Sequence, residues 1–206
     1  MTDKLVLHED SRSGNCYKVR LTAAIVGKPL ERREYDIMNG ETRTPEFLAK
    51  VNANGRIPVL QVGDRFIPES NAASYYVAQG SSLVPSDPFD HADMLRWMFW
   101  EQYNHEPNIA TLRFWMTEVG LDKLSDLQRG QMPVKREQGN AALNLMDEQL
   151  GGRDWFVADA LTLADICLFA YTHRAGEAEF DLSRYPNVLA WIERVKAWPR
   201  FVPMQA

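Results

Sequence analysis

Short polar side chains lie where the first helix of the chain is predicted to begin. Ser11, Ser13 and Asn15 follow an apolar run, and apolar residues at helical spacing start at Tyr17. The first turn of a helix presents free amides and the positive end of the helix dipole, so a hydroxyl or amide there can help to hold a thiolate. Ser13 and Asn15, with Ser11 just outside the helix, are therefore candidates for thiol chemistry.

Cys16 lies in the same segment, but its spacing does not favour a reactive role. It follows Ser13 in an S-x-x-C arrangement, whereas the nucleophile of a thioredoxin-type redox site would occupy the first position. Free cysteine is commonly a small buried hydrophobe. We therefore predict that Cys16 packs inside the helix. The other cysteine is Cys167, and two cysteines are too few for a disulfide framework.

A second set of candidates surrounds Ile57-Pro58. Proline has no N–H, so at the start of a strand it leaves an edge open, and a cis Ile57-Pro58 bond would turn the N–H and C=O of Ile57 outward. These two groups could pair with a short peptide ligand in the way that an added strand does. An ordinary trans proline at the start of a strand is the alternative that this residue alone leaves open.

Glu69 and Ser70 lie between a predicted strand and a predicted helix. Ser70 as the helix N-cap would offer free amides and the helix dipole to a bound carboxylate. Glu69, at the same turn, could hold an ammonium group. A carboxylate and an ammonium together describe the head of an amino acid, although a helix cap beside one solvated acid is also a common arrangement.

The elements that must position these residues form two halves. In the first half the spacing predicts a β-α-β-α-β-β-α order, with Gly63-Asp64 as a hairpin turn. The predicted elements are residues 4–8, 17–26, 30–37, 45–51, 58–62, 65–68 and 70–79. The prolines and small residues of SSLVPSDP, residues 81–88, predict a linker.

Only helical patterns follow this linker, so the second half is predicted to be a helical bundle. The predicted helices are residues 90–118, 126–150, 162–175 and 186–198. Thr162-Leu-Ala-Asp165 forms a capping box, flanked by Leu161 and Ile166 as a hydrophobic staple. This pattern marks the start of a buried helix.

Composition excludes several classes of protein. The chain has 206 residues, of which 45% are hydrophobic and 25% charged, as expected for two small folded domains. Residues 1–80 carry a net charge of +1 and the remainder −6, without the basic stripe of a nucleic-acid-binding protein. Scattered histidines and cysteines give no metal-ligand spacing. No apolar run reaches the roughly 18 residues of a membrane span and no secretory segment opens the chain, so we expect a cytoplasmic protein that binds neither metal nor membrane.

In their order along the chain, these motifs resemble the glutathione transferase superfamily, in particular its bacterial, serine-type members. The matching segments are SGNCYKVRL, TPEFLAKVNANGRIPVL and ESNAASYYVA in the first half and LTLADICLFAY and YPNVLAWIERVKAWP in the second. Together they cover essentially the whole chain. The resemblance implies an α/β plus all-α fold, with a thioredoxin-like domain at residues 1–80 and an all-helical domain at residues 89–206.

The resemblance also implies how glutathione is bound. In such enzymes the tripeptide pairs with the backbone before a cis proline, its γ-glutamyl head meets a Glu-Ser pair, and basic or polar residues contact its glycyl carboxylate. The implied glutathione contacts in this chain are Arg43, Arg56, Ile57, Pro58, Glu69 and Ser70. Glutathione is thus the expected co-substrate, and family members usually form homodimers.

The class within the superfamily stays open. SGNCYKVRL is similar to the T-P-N-G-x-K stretch of nu-type enzymes, which would make Ser13 and Asn15 the thiol contacts. RSGNCYKVRL also resembles the R-S-S-C-S-W-R-V-R segment of zeta-type maleylacetoacetate isomerases, but Asn15 stands where those enzymes have cysteine. Beta-type enzymes have cysteine at the position of Ser13. No tyrosine lies in the first strand or its loop, which disfavours the tyrosine-dependent classes.

We predict a glutathione transferase that holds glutathione as a thiolate for attack on a small electrophile. The alternatives are a glutathione-dependent disulfide reductase or peroxidase, a maleylacetoacetate isomerase-like enzyme, and a non-catalytic glutathione-binding protein. The second substrate, an electrophile or a disulfide, is expected to contact the early helices of the second half. The polar candidates there are Tyr103, His105 and Arg113, although aromatic residues at helical spacing are more often part of a core.

Overall fold

The computed structural model describes residues 4–204 in two compact units. The first unit joins the chain up to Val84 with the segment from Pro199 onward, and the second spans Pro85–Trp198. The division falls within the predicted linker, residues 81–88. Residues 1–3 and 205–206, which the predicted domain limits include, lie outside the described residues.

The first unit is built on a four-stranded mixed sheet. Its strands are β1 (Leu5–Glu9), β2 (Glu31–Glu34), β3 (Val59–Val62) and β4 (Arg65–Pro68). The strand order is β2-β1-β3-β4, in which β2 runs parallel to β1 and the other two pairs are antiparallel. The hairpin predicted at Gly63-Asp64 is confirmed, and Gly63 has a φ of 59°, which glycine adopts without a steric cost.

Helices α1 (Gly14–Val26), α2 (Pro45–Lys50) and α3 (Ser70–Ala78) complete the first unit. Leu7 of β1, Val19 of α1, Leu60 of β3 and Val77 of α3 are fully buried in one apolar cluster. Helices α1 and α3 therefore cover the same face of the sheet, and burial of this apolar surface stabilises the unit. The β-α-β-α-β-β-α order and the thioredoxin-like fold are confirmed.

Several boundaries in this unit differ from the sequence prediction by one residue, and three other differences are informative. Helix α1 begins at Gly14, three residues earlier than the apolar spacing indicated, because Ser13 caps it. Strand β2 ends at Glu34 rather than residue 37, since the Asp36 carboxylate accepts hydrogen bonds from following backbone amides and turns the chain. The N-cap of α3 is Glu69, and not Ser70 as predicted; Ser70 is the first helical residue.

The second unit is all-helical, as predicted. Its helices are α4 (Pro88–Trp100), α5 (Glu106–Phe114), α6 (Asp126–Gln149), α7 (Leu163–Thr172) and α8 (Pro186–Lys196). The single helix predicted at residues 90–118 is interrupted by two π-helical turns, Glu101–His105 and Trp115–Val119. Pro107 accounts for the first turn, because proline lacks an N–H and its ring clashes with the carbonyl four residues earlier.

A buried carboxylate marks the start of α7. Asp165 accepts hydrogen bonds from the N–H and the hydroxyl of Thr162, from the N–H of Phe156 and from the indole N–H of Trp191. The helix start predicted at Thr162 from the capping box is confirmed. This one side chain therefore ties α7 to α8 and to the chain that precedes α7.

Within residues 4–204, none of the helices combines the length and the apolar character that crossing a membrane requires. The same residues contain no group of three or more histidine, cysteine, aspartate or glutamate side chains arranged to hold a metal ion. Cys16 and Cys167 are both buried and are not joined in a disulfide.

Candidate functional site

The register of the sheet brings three of the predicted segments to one edge. His8, near the end of β1, pairs with Val59 at the start of β3, and Val59 pairs with Pro68 at the end of β4. The loop after β1 that carries Ser13, the Ile57-Pro58 segment before β3 and Glu69-Ser70 after β4 therefore all leave the sheet at the same end.

Ser13 is the N-cap of α1. Its backbone is extended, with φ −81° and ψ 123°, and its hydroxyl accepts a hydrogen bond of 3.4 Å from the N–H of Cys16. Accepting this bond leaves the hydroxyl proton of Ser13 available for donation to a ligand. Ser11 and Asn15, the other two candidates for the thiol contact, are half-buried on either side of Ser13.

Cys16 is fully buried in α1, which confirms its predicted packing. Burial raises the pKa of its thiol to about 12, because a thiolate would lose its hydration there. Since the thiolate is the nucleophilic form, Cys16 is an inert core residue at neutral pH.

Within the predicted Glu69-Ser70 site for an amino-acid head, Ser70 contacts the start of α1. Ser70 is buried, and its hydroxyl donates a hydrogen bond of 3.2 Å to Oδ1 of Asn15. Glu69 is exposed and has a φ of 72°, a left-handed conformation that is rare for a residue with a Cβ and that clusters at functional sites. Asn15 and Ser70, assigned to two different roles, are therefore in direct contact.

The Ile57-Pro58 peptide bond is cis, as predicted. Among the described residues, neither the N–H nor the C=O of Ile57 takes part in a hydrogen bond. Both groups are thus unpaired directly beside β3. Their use by a ligand stays a prediction.

Arg43 and Arg56 flank the loop that leads to Ile57. Arg43 donates a hydrogen bond of 2.9 Å to the carbonyl of Asn54 and lies against Gly55, where an added Cβ would come within 2.6 Å of the guanidinium. Gly55 also has a φ of 62°, so the close approach and the backbone both require glycine. Arg56 is exposed, and its guanidinium has no partner among the described residues.

An ion-pair network that the sequence analysis missed holds the loop between β1 and α1. Glu9, fully buried, forms ion pairs with Arg20, at 3.0 Å, and with Arg32. Burial raises the pKa of the Glu9 carboxyl, and the charge of Arg20 opposes this rise. Arg20 also donates to the carbonyl of Ser11 at 3.0 Å. The network therefore fixes the backbone that precedes Ser13.

A second carboxylate anchors the same loop. Asp10 accepts hydrogen bonds from the backbone N–H and the guanidinium of Arg12 and from the N–H of Ile37. Burial alone would raise the pKa of Asp10, but these donors bring it below its usual value. Neither Glu9 nor Asp10 gave a signal in the sequence, since each simply ends an apolar strand.

Lys18 was also missed. It is fully buried on α1, and its ammonium lies 3.5 Å from the hydroxyl of Ser70 and 3.2 Å from Oδ1 of Asn71. Lys18 follows Asn15 by three residues, so the two lie on the same face of a helix. The spacing therefore predicts that Lys18 lies on the side of α1 that carries Asn15, but not that it contacts Ser70.

The three polar candidates of the second unit have separate environments. Tyr103 is 84% exposed, whereas His105 is fully buried with Nε2 2.8 Å from the hydroxyl of Thr172. Arg113 is buried and forms an ion pair of 2.6 Å with Glu177. These contacts join His105 and Arg113 to other elements of the unit, and a role of either residue in binding stays a prediction. Only Tyr103 of the three has an open side chain, and its role in binding stays a prediction.

Comparison with known proteins places both halves of the chain in one family. Residues 10–79 match the family model described as glutathione S-transferase, N-terminal domain, and residues 123–199 match the C-terminal domain model. A solved glutathione S-transferase from Pseudomonas fluorescens is 43% identical, with 98% of this chain and 99% of that chain covered and a TM-score of 0.92.

Two further proteins agree with this match. A possible glutathione S-transferase from Rhodopseudomonas palustris is 44% identical, with coverage of 98% of this chain and 90% of that chain and a TM-score of 0.92. Glutathione S-transferase F14 from Arabidopsis thaliana is 30% identical over 185 residues, which are 82% of this chain and 72% of that protein.

Proposed function

Because the chain belongs to the glutathione S-transferase family, we propose that it binds glutathione in its first unit and activates the thiol for attack on an electrophilic small molecule. The observation that carries the proposal is the contact between Asn15 and Ser70. It joins the start of α1, where a thiolate would be held, to the start of α3, where an amino-acid head would be held.

In this proposal each part of the tripeptide has its own contacts. The γ-glutamyl ammonium pairs with Glu69, and its carboxylate binds Ser70 and the amides of the first turn of α3. The peptide bonds pair with the free N–H and C=O of Ile57, beside Pro58. Among the described residues, the guanidinium of Arg56 is unpaired and suits the glycyl carboxylate, with Arg43 on the other side of the loop.

Thiol activation is then a matter of stabilising the anion. A free thiol has a pKa of about 8.5, and lowering it by two units requires roughly 2.7 kcal/mol of preferential interaction with the thiolate. One hydrogen bond to a charged group contributes about 1.5–3 kcal/mol, and a helix N-terminus adds about 0.3–1 kcal/mol. Donation by Ser13 at the start of α1, with Asn15 or Ser11 as alternatives, is therefore sufficient.

The proposed reaction consumes one glutathione and one electrophile. The thiol loses its proton to solvent, and the sulfur lone pair forms a bond to the electrophilic carbon. With a chlorinated nitroaromatic compound, the carbon–chlorine bond breaks and chloride leaves with its electron pair. The products are the glutathione conjugate, chloride and a proton.

The proposal is tested by four assays with glutathione, using a chlorinated nitroaromatic compound, a small disulfide, a hydroperoxide and maleylacetoacetate. Conjugation of the nitroaromatic compound with saturation in both substrates is the expected result. Turnover of the disulfide or hydroperoxide with negligible conjugation would replace the proposal by a reductase or peroxidase. Tight glutathione binding with no turnover in any assay would indicate a non-catalytic binding protein, and isomerisation of maleylacetoacetate would indicate a zeta-type enzyme.

A cytoplasmic homodimer is part of the same proposal. The early helical segment of the second unit has three strongly exposed aromatic side chains, a pattern typical of a protein interface. They are Phe89, Phe99 and Tyr103, at 78%, 72% and 84% exposure. Sedimentation equilibrium is expected to give twice the chain mass of 23.6 kDa. A monomer at micromolar concentration would contradict this part alone.

A further inference from the structure

Lys18 is a fully buried cation at the point where α1 meets α3. Its ammonium lies 3.5 Å from the hydroxyl oxygen of Ser70 and 3.2 Å from Oδ1 of Asn71. Electrostatic interactions are stronger in such a location than at the surface, because water does not screen them. A charge held here therefore acts strongly on groups that contact Ser70 or Asn71.

The directions of the hydrogen bonds follow from the chemistry of these groups. An ammonium only donates, so Ser70 accepts from Lys18 and its own hydroxyl proton goes to Oδ1 of Asn15, at 3.2 Å. The side-chain oxygen of Asn15 therefore points toward Ser70. The side-chain NH2 group of Asn15 points away from Ser70. A continuous chain of hydrogen bonds thus runs from Lys18 to Ser70 and from Ser70 to Asn15.

We propose that Lys18 is a positioning residue for glutathione: its buried ammonium attracts the γ-glutamyl carboxylate to Ser70 and orients Ser70 and Asn15. This inference rests on the proposed function. A carboxylate that accepts from the backbone N–H of Ser70 lies near the ammonium, because Nζ of Lys18 is 3.5 Å from the hydroxyl oxygen of the same residue. The charge of Lys18 therefore favours a ligand that has this carboxylate over one that lacks it.

The test compares two ligands in several variants. One ligand is glutathione, and the other is γ-aminobutyryl-cysteinyl-glycine, in which hydrogen replaces the γ-glutamyl α-carboxylate. By calorimetry, K18M should weaken glutathione binding about ten- to hundredfold, the loss expected for one hydrogen-bonded charge, and binding of the analogue less than about threefold. K18R should keep the preference for glutathione, and K18Q should lose it.

Lys50→Met is the matched control, since it removes one lysine charge from the exposed surface of the same unit. It should leave the affinity for both ligands unchanged. If K18M weakens both ligands equally, or if K18Q retains the preference, the assignment of Lys18 is overturned. If the wild-type protein binds neither ligand, the proposed function itself fails, which is a different result.

A measurement on the wild-type protein covers the case in which Lys18 variants do not fold. A buried lysine ammonium exchanges its protons slowly enough for its ¹⁵N resonance to be followed by NMR. Glutathione should shift the Lys18 Nζ resonance, and the analogue should leave it close to its free position. Equal shifts with both ligands, or no shift with glutathione, would refute the proposal.

Discussion

The polar residues of the two units differ in their hydrogen-bond partners and in their exposure. At the sheet edge of the first unit, the N–H and C=O of Ile57 and the hydroxyl proton of Ser13 have no partner within residues 4–204, and Glu69 is exposed in a left-handed conformation. In the second unit, Asp165 accepts four hydrogen bonds, and Arg113 is paired with Glu177.

This difference separates residues that can receive a ligand from residues that hold the fold. A buried polar group whose partners all lie within the protein contributes to stability, and removing it leaves those partners unsatisfied. A polar group with spare hydrogen-bonding capacity at an open edge contributes little to stability. Substitutions in the second unit should therefore lower stability, whereas those at the sheet edge should lower glutathione binding or turnover.

The largest effect is expected for Asp165→Ala. The change leaves the N–H groups of Thr162, Phe156 and Trp191 without their acceptor, at a cost of about 3–5 kcal/mol in the free energy of unfolding. Calorimetry should show a thermal midpoint on the order of 10 °C below that of the wild type. Glutathione affinity measured well below that midpoint should be unchanged. A fall of only a degree or two would contradict the structural role.

Glu69→Ala is the counterpart at the sheet edge. Loss of one partner of a charge pair that is desolvated on binding should weaken glutathione binding by about 2–5 kcal/mol. The thermal midpoint without ligand should stay within a degree or two, because the Glu69 side chain is exposed. Glu69→Gln, which keeps the shape without the charge, is the control and should bind with intermediate affinity. Unchanged calorimetric affinity in Glu69→Ala would remove Glu69 from the site.

The backbone conformations at this edge could be predicted from the sequence because they depend on residue types that are close together in the chain. The cis Ile57-Pro58 bond and the turn at Gly63 are conformations that only certain residue types favour, so spacing along the chain identifies them. Asp165 and its capping box were found for the same reason. A cis proline, a tight turn and a helix cap each depend on residues that are adjacent in the chain, so they can be predicted from the sequence.

The charged network around Glu9 could not be predicted in this way. Glu9 and Arg20 are eleven residues apart, and only the packing of α1 on the sheet brings them within 3.0 Å. The contact of Lys18 with Ser70 joins residues that are 52 positions apart. The hydrogen bond between His105 and Thr172 could not be predicted for a related reason: a helical pattern shows that a polar residue faces an interior, but not which side chain it bonds there.

A third prediction uses pH to test a half-buried group of the second unit. The ring of His173 stacks on Phe169 at 4.4 Å, and burial lowers the pKa of His173 to about 4. The unfolded chain, with a histidine pKa near 6.5, therefore binds a proton more readily than the folded one. The contribution of His173 to stability is complete above about pH 6.5 and is lost as the pH falls toward 4, by up to about 3 kcal/mol.

His173→Phe keeps the stacking and removes the titration. Urea unfolding at pH 7, 5.5 and 4.5 should show a shallower loss of stability in His173→Phe than in the wild type. The difference between the two proteins isolates His173 from other groups that titrate in this range, such as Asp165, whose pKa burial raises to about 6. Parallel curves would mean that folding leaves the pKa of His173 unchanged.

Ser13→Ala tests the thiol contact. Loss of a hydrogen bond of about 1.5–3 kcal/mol to the thiolate should reduce turnover roughly ten- to hundredfold and raise the pKa of bound glutathione by one to two units. Ultraviolet titration of the bound thiolate measures this pKa directly. If Ser13 only caps α1, the cost is instead about 1 kcal/mol of stability with little loss of activity. Ser11→Ala and Asn15→Ala are the matched variants, and a raised pKa in one of them with none in Ser13→Ala would move the role to that residue.

The smallest effect is expected for Tyr103→Ser. Unlike Asp165 and Arg113 of the same unit, Tyr103 has an exposed side chain. Tyr103 is 84% exposed, so its loss should change the free energy of unfolding by no more than about 0.5 kcal/mol. If its ring contacts the electrophile as predicted, losing an aromatic contact of about 0.5–1.5 kcal/mol should raise the KM for the electrophile roughly two- to tenfold and leave that for glutathione unchanged. Phe89→Ser, which changes a similarly exposed aromatic residue on α4 in the same proposed interface, is the control for the KM measurement. A shift toward monomer with an unaltered KM would instead assign Tyr103 to the subunit interface. In either case Tyr103 would be a residue of the second unit that contacts a ligand or a partner. Whether a side chain binds a partner or stabilises the fold therefore depends on its exposure and its spare hydrogen-bonding capacity, and not on the unit in which it lies.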